Sequence, residues 1–557
     1  MRKGLILLCV LAWCLGASAQ TKPEPPRRPT PVPVERKDTV AEKSRPLPQI
    51  ELPEYDITGT LVPGVAGSNK EGAGGEGALD PLGVKNLRGR EPQWLDEGMW
   101  KLGAGPSVGA GVRAGRVSAG VGSFKTPVLD LWVSPGIEDL DLGLRAGYRS
   151  STGHVENAGY RRGFASLALG RALGDSSGLI SRSSLKASMS YAGHSYTPYG
   201  ALVPVEERTL DRFSSSLMLS DVRVGETLLE GGVFLTGSSL TDHATTRQTR
   251  FGARLRGARS VSALSVEGGG ELVLSQMTGP AAGQNPLFLR TSLVLQGQVH
   301  PDVILRGGVA GYIARGSSGS SLGYLYPLAS VSWYPADPLE LFIRYEPSVT
   351  ERTLGDLVDA GPYVREGYTL RHEVAGTDLV AGMGVMFGKS LHVRLSTRYQ
   401  RLSNALLFVD TARVGLWDPW YDGVSTVFTG QGDLTWQMTD ADLFTATVRT
   451  LVSSNSATEE KLPYLAPLRI DGSYGHWFPF GLLLMGDVEM VGERSPDLLA
   501  SRTLKSFVLL NLSAEYGFLP GWRVMGRVDN LLGARCEWWE GYVAPPRTGW
   551  LGIAYSW

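Results

Sequence analysis

Arg547-Thr548-Gly549-Trp550-Leu551-Gly552-Ile553-Ala554-Tyr555-Ser556-Trp557 ends the chain, and its alternation decides the fold. At the two-residue period of a strand, Leu551, Ile553, Tyr555 and Trp557 share one face, and Gly552, Ala554 and Ser556 share the other. An apolar face ending in two aromatics is what a lipid-facing strand needs where it reaches a membrane interface. The small residues opposite leave room for a lumen. A soluble sheet can also end in aromatics, so this strand is weighed with the rest of the chain.

Residues 1–19 read as a secretory signal peptide. Arg2 and Lys3 supply the charge, Leu5 to Leu15 the apolar core, and Ala17-Ser18-Ala19 the cleavage site. Trp13 stands before Cys14 where lipoprotein processing needs a small residue, which excludes a lipid anchor. No stretch reaches the roughly 18 unbroken apolar residues of a membrane helix, so any crossing must use strands.

The chain is 42% hydrophobic and 20% charged with a net charge of −1, which argues against a nucleic-acid partner. Its 71 glycines in 557 residues, with 33 prolines, suit many strands joined by turns. After cleavage Cys536 is the only cysteine, so neither an intramolecular disulfide nor a cysteine zinc site is expected. The seven histidines form no H-E-x-x-H, and no cofactor or catalytic constellation is expected. Gly174-Asp175-Ser176-Ser177-Gly178 fits G-x-S-x-G but falls in a predicted turn, and Gly388-Lys389-Ser390 reads as another.

Four regions follow. Behind the signal peptide, residues 20–49 are a Pro-rich, disordered spacer with little to bury. Residues 50–104 hold one short strand and a Gly-rich linker, a candidate occupant of the lumen. From residue 105 to 557 one theme repeats: about ten residues of alternating character, then a turn. In 391–400, Leu391, Val393, Leu395 and Tyr399 oppose Arg394 and Arg398. In 482–493, Leu484 and Val488 oppose Asp487 and Glu489, and in 522–530, Val524 and Val528 oppose Arg523 and Arg527. Charge on the inner face of so many strands is prohibitive in a sandwich core, but it can line a water-filled lumen.

Short turns are expected at 135–136, 223–225, 258–259, 300–302, 335–337, 388–390, 440–442, 479 and 519–521. Longer links are expected at 197–207, 278–285, 351–376, 405–421, 454–463 and 530–546. Short and long alternate, as periplasmic turns and extracellular loops do. Counting back from Trp557 gives an all-β, antiparallel transmembrane barrel of about 22 strands, with 20 and 24 as competitors. The stretch 351–376 is long enough to hide an extra element.

Gly552, Tyr555 and Trp557 resemble the C-terminal signal by which bacterial outer-membrane barrels are recognised for insertion. PFGLLLMGDVEMVGER, FVLLNLSAEY, RVDNLLGARCEWWEGY and APPRTGWLGIAYSW, within 463–557, resemble the final four strands of a TonB-dependent receptor barrel. Asn530-Leu531-Leu532-Gly533 corresponds to that family's turn after the penultimate strand. Tyr55, Asp56, Ile57 and Thr58 resemble a TonB box, which adds a strand to the energising protein; the same segment also reads as a linker strand. The resemblance implies an outer-membrane location in a Gram-negative-type bacterium, with a periplasmic C-terminus. It also implies membrane lipid, the barrel assembly machinery, a TonB-type protein and a solute as partners. The family's plug domain does not fit between Thr60 and Gly105.

Two aromatic groups, Trp417-Asp418-Pro419-Trp420-Tyr421 and Trp538-Trp539, stand in long links, as an interfacial girdle or as a platform for a flat ligand. The functional readings are passage or uptake of a solute, with the inward charges setting selectivity, or a non-transporting barrel that anchors a complex.

Overall fold

Many strands of the chain alternate apolar with polar residues, and several tight turns between them carry a residue at positive φ, among them Gly225, Ser262, Gly388 and Gly521. The wall they build is one antiparallel sheet. In the computed structural model the described residues are 113–557, apart from 174–182, 281–285, 316–320, 337, 366–368, 389 and 457–458. The spacer, the TonB-box-like residues Tyr55, Asp56, Ile57 and Thr58, and the G-x-S-x-G stretch lie outside them.

Along the wall each strand pairs with the next, and the first, Arg113–Gly122, pairs with the last, Thr548–Ser556; Glu537–Trp539 and Tyr542–Val543 form a separate small hairpin in the last long loop. That seam, with Arg116 opposite Ser556 and Gly122 opposite Trp550, closes the sheet on itself. The sheet has 23 strand segments, of which Leu339–Tyr345 and Ser348–Thr350 both pair with Glu373–Phe387 and count as one interrupted strand. Pro347, which cannot donate to a ladder, lies in the interruption. The barrel therefore has 22 strands, as the sequence led us to expect.

The wall is inside out. Along Leu391–Val409, Leu395 and Tyr399 are 47% and 40% exposed, whereas Arg398 and Gln400 between and beyond them are 7% and 1% exposed. Such a wall is stable only where hydrocarbon covers its outer face. At the end of the barrel that carries the short turns, outward aromatics pack side by side. Trp522 and Tyr555 lie 4.8 Å apart, and Phe478 and Phe480 lie 5.3 Å apart. This is the girdle expected at an interface. There the Pro520-Gly521 turn has Gly521 at φ +76, and a Cβ on it would stand 2.4 Å from the Ser556 carbonyl oxygen, so only glycine serves.

Three sequence expectations are corrected. Ala258 and Arg259 are not a turn: they lie in Thr245–Val261, and the reversal comes at Ser262-Ala263, where Ser262 adopts φ +56. Most of 405–421 is strand, because Leu391–Val409 and Asp418–Thr439 run past the membrane band as a long hairpin joined by 410–417. The stretch resembling four strands contains a fifth, Leu468–Trp477. A further long loop, 492–506, joins Leu482–Val491 to Phe507–Leu519. The suspected extra element in 351–376 exists: it is the helix α1, Leu354–Ala360.

A lumen capped by its own loops

The site begins with a local signal. Thr353 caps α1: its hydroxyl accepts from the Asp356 amide at 3.1 Å, and the Asp356 carboxylate accepts from the Thr353 amide at 3.1 Å. This reciprocal box lets a short helix form where propensity alone would not hold one. The helix buries Leu354, Leu357, Val358 and Ala360.

The helix is held by strands far from those it connects. The loop 351–372 leaves the thirteenth strand and enters the fourteenth, yet its partners lie on the sixth and eighth. From Arg208–Val224, Arg212 Nη1 donates to Asp359 at 2.8 Å and Arg208 Nη1 donates to the Pro362 carbonyl at 3.2 Å. From Thr245–Val261, Gln248 accepts from the Leu354 amide at 2.7 Å, and Arg250 Nε donates to Glu351 at 3.1 Å. The loop therefore crosses the long-loop end of the lumen. Burial raises the Glu351 carboxyl above its ordinary value, against the pull of Arg250.

Over this strap the other loops knit together. Trp417 pairs with Val364 in a parallel bridge, and its carbonyl accepts from the Arg365 amide at 2.7 Å. The Trp417 indole donates to the Tyr464 hydroxyl at 2.8 Å, and the Tyr542 hydroxyl donates to the Gly415 carbonyl at 2.8 Å. Tyr363 stacks on Tyr542 with centroids 3.6 Å apart. Arg494, from 492–506, is 4% exposed; it donates to the Glu537 carbonyl, and burial pulls its guanidinium down to about 10. Burial pushes the Cys536 thiol up to about 11 and raises the Tyr464 and Tyr542 hydroxyls further. Cys536, Tyr464 and Tyr542 are 2%, 2% and 3% exposed. The cap is a hydrophobic core in which loop residues pack onto the strand ends, with Leu210, Leu402, Phe408 and Phe507 supplied by strands.

Below the cap, inward charges are mostly paired along the wall. Arg398 Nε donates to Asp378 at 2.8 Å, and Gln400 donates to the same carboxylate at 3.1 Å. Glu489 lies 2.7 Å from Arg469, Arg523 lies 2.6 Å from Glu515, and Arg527 lies 2.7 Å from Asp529. Asp487 stands opposite Ser473 and Asn511. Arg394 and Arg344 instead lie over the Phe342 ring, 4.7 and 4.8 Å from its centroid.

No family model matches the chain, and no curated protein matches it in sequence. Solved structures do match the barrel. The FrpB iron transporter from Neisseria meningitidis (F3-3 variant) aligns with TM-score 0.64 at 13% identity, over 80% of this chain and 82% of that one. The copper transporter OprC aligns with TM-score 0.65 at 12% identity, over 81% of each chain. The siderophore receptor PiuA from Acinetobacter baumannii aligns with TM-score 0.60 at 11% identity, over 80% and 82%. The fold is that of the TonB-dependent receptor barrel. At such identities the likeness is one of fold.

Within this receptor-type barrel the sequence-predicted residues separate. Trp417 and Trp539 come together, 5.0 Å apart and each 1% exposed, with their rings covered by Tyr464, Tyr542 and Phe408. Trp538 packs edge-on against Phe507 at 4.9 Å. Trp420 is 47% exposed near the tip of the long hairpin, opposite Leu407, and Tyr421 donates to the Thr369 carbonyl at 2.8 Å. Asn530-Leu531-Leu532-Gly533 forms the expected turn, with Asn530 bonded both ways to Ala534 at 2.8 Å. Sequence reasoning missed Arg212, Gln248, Asp359 and Arg494. Only the Thr353-x-x-Asp356 box was readable locally.

Proposed function

We propose that the chain is an outer-membrane barrel that passes a solute through its lumen, with the loop cap as its gate. The cap supports this reading more than any other observation. A closed wall of 22 strands encloses a charged interior, and the long-loop end is spanned by 351–365, tied to the far wall through Arg212–Asp359 and Arg250–Glu351. A barrel used only as an anchor has no need of a polar, ion-paired interior. The iron, copper and siderophore proteins that share the fold support a transport role, and the C-terminus is then periplasmic. Under the same reading Trp417 and Trp539 act as packing of the gate, Arg394 and its neighbours set selectivity, and Tyr55–Thr58 is the contact for a TonB-type protein.

The test is planar-bilayer recording of the refolded full-length protein beside Arg212→Ala/Glu351→Ala. Brief, rare openings of the native protein and long openings of the variant are expected. Silence of both over the whole voltage range, with heat-modifiable mobility intact, would overturn passage and favour an anchoring role.

A further inference from the structure

The outer wall between Leu468–Trp477 and Arg113–Gly122 carries an apolar furrow of about 1000 Å3. Strand register identifies its lining. One cross-strand row runs His476, Leu484, Ala514, Gly526, Leu551, Val121, each residue directly opposite the next. Leu551 and Val121 are among the most exposed apolar residues of the barrel, so the row faces outward. The neighbouring outward row adds Gly486 and Gly549. Five inter-strand steps make the furrow about 24 Å long at roughly 4.8 Å per step. It begins near the short turns at His476 and rises obliquely to the far end of the first strand.

The glycines there are not demanded by the backbone. Gly486, Gly526 and Gly549 are absent from the positive-φ positions, and a Cβ on them would meet nothing closer than 3.4, 3.9 and 3.9 Å respectively. Glycine inside a strand weakens it. What these three do is keep the surface low.

The furrow also has a polar end. Asp442, opposite His476 and on the same outward face, accepts from the Tyr474 hydroxyl at 2.6 Å and lies 2.6 Å from His476 Nδ1; Thr439 also donates to it. Phe478 and Phe480 stand beside it. A carboxylate on a lipid-facing wall is tolerated at headgroup level, and the aromatics mark that level.

We propose that the furrow is a phospholipid site, holding one acyl chain along the glycine floor with an amine headgroup against Asp442. This rests on the reading that the wall faces a membrane. An empty groove in hydrocarbon forfeits dispersion contacts that a chain restores. A long, narrow, apolar channel suits a single acyl chain better than a protein helix, which is about 10 Å across. The carboxylate selects a cationic headgroup over an anionic one.

The test is native mass spectrometry of the full-length protein released from vesicles of equal phosphatidylethanolamine and phosphatidylglycerol. One phosphatidylethanolamine per chain is expected, preferred by about tenfold. Gly486→Leu/Gly526→Leu should lose the bound lipid, and Asp442→Asn should keep lipid but lose the preference. No retained lipid, equal retention of the two lipids, retention of lipopolysaccharide instead, or undiminished binding by the filled variant would each overturn the site. Gly549→Val serves if the double variant fails to fold, as judged by heat-modifiable mobility. Vesicle flotation keeps the premise separate: a chain that does not float has failed as a membrane protein, not merely as a lipid binder.

Discussion

Replacing Trp417 by Ala tests whether the cap is a folded unit distinct from the barrel. The indole is 1% exposed and lies 5.0 Å from Trp539, 5.4 Å from Tyr542 and 6.2 Å from Tyr464, all of them outside the barrel sheet. Truncating a buried Trp costs about 3–5 kcal/mol. Losing its 2.8 Å bond to the Tyr464 hydroxyl adds about 1 kcal/mol, because that oxygen is left in a dry site. Almost none of this falls on the barrel ladders. Even about 3 kcal/mol raises the open population of the cap about a hundredfold, at roughly 1.4 kcal/mol per factor of ten. Arg494, 4% exposed beneath the loops, supplies the readout. Trypsin reaches the bond after Arg494 only when the cap opens, and when closing is fast the cleavage rate follows the open population. The variant should be cut there about a hundred times faster, with heat-modifiable mobility unchanged. Equal cleavage rates, or loss of the barrel band, would refute the reasoning.

Three further outcomes are expected. Arg398→Leu strands Asp378 in the wall and should cost about 3–5 kcal/mol in urea unfolding, while Arg398→Leu/Asp378→Leu recovers most of it. His372, at the end of the strap, accepts from the Arg352 amide at 3.5 Å and lies 3.3 Å from the Arg315 carbonyl; burial lowers its pKa, so its contribution to closure is complete above the unfolded value of about 6.5 and declines as pH falls below it. Cleavage after Arg494 should therefore accelerate on acidification, and His372→Asn should flatten that response. Trp557→Ala removes the stacked partner of Tyr555 at 5.8 Å and should lower the yield of folded barrel in vesicles, measured by gel mobility.

What the sequence disclosed was what period and punctuation encode. Leu551, Ile553, Tyr555 and Trp557 declare an outward face because alternation is local, and Pro301-Asp302 and Pro520-Gly521 declare reversals because their backbones are restricted. The turn at Ser262-Ala263 carries no Gly or Pro, so nothing in its residue types marks the reversal. The cap was opaque for a different reason. Trp417, Tyr464 and Trp539 lie on three separate loops, and nothing near any of them names its partner. The two tryptophan clusters are legible as aromatic content, but burial depends on which loops meet. That is decided by strand order and strand length, since the long hairpin Leu391–Val409 and Asp418–Thr439 carries Trp417 beyond the band.

The seam sets the order of assembly. Residues 116–122 find their partners at 550–556, at the opposite end of the chain, so this contact has the greatest sequence separation in the sheet. Loop-closure entropy makes such a pairing late. Until it forms, the curled sheet keeps two unsatisfied edges, a template for joining other chains. Removing either seam strand, Arg113–Gly122 or Thr548–Ser556, therefore would not simply narrow the barrel; it would leave an open ribbon in hydrocarbon, where unpaired backbone is not tolerated. Closure is all or none, and the last strand synthesised completes it.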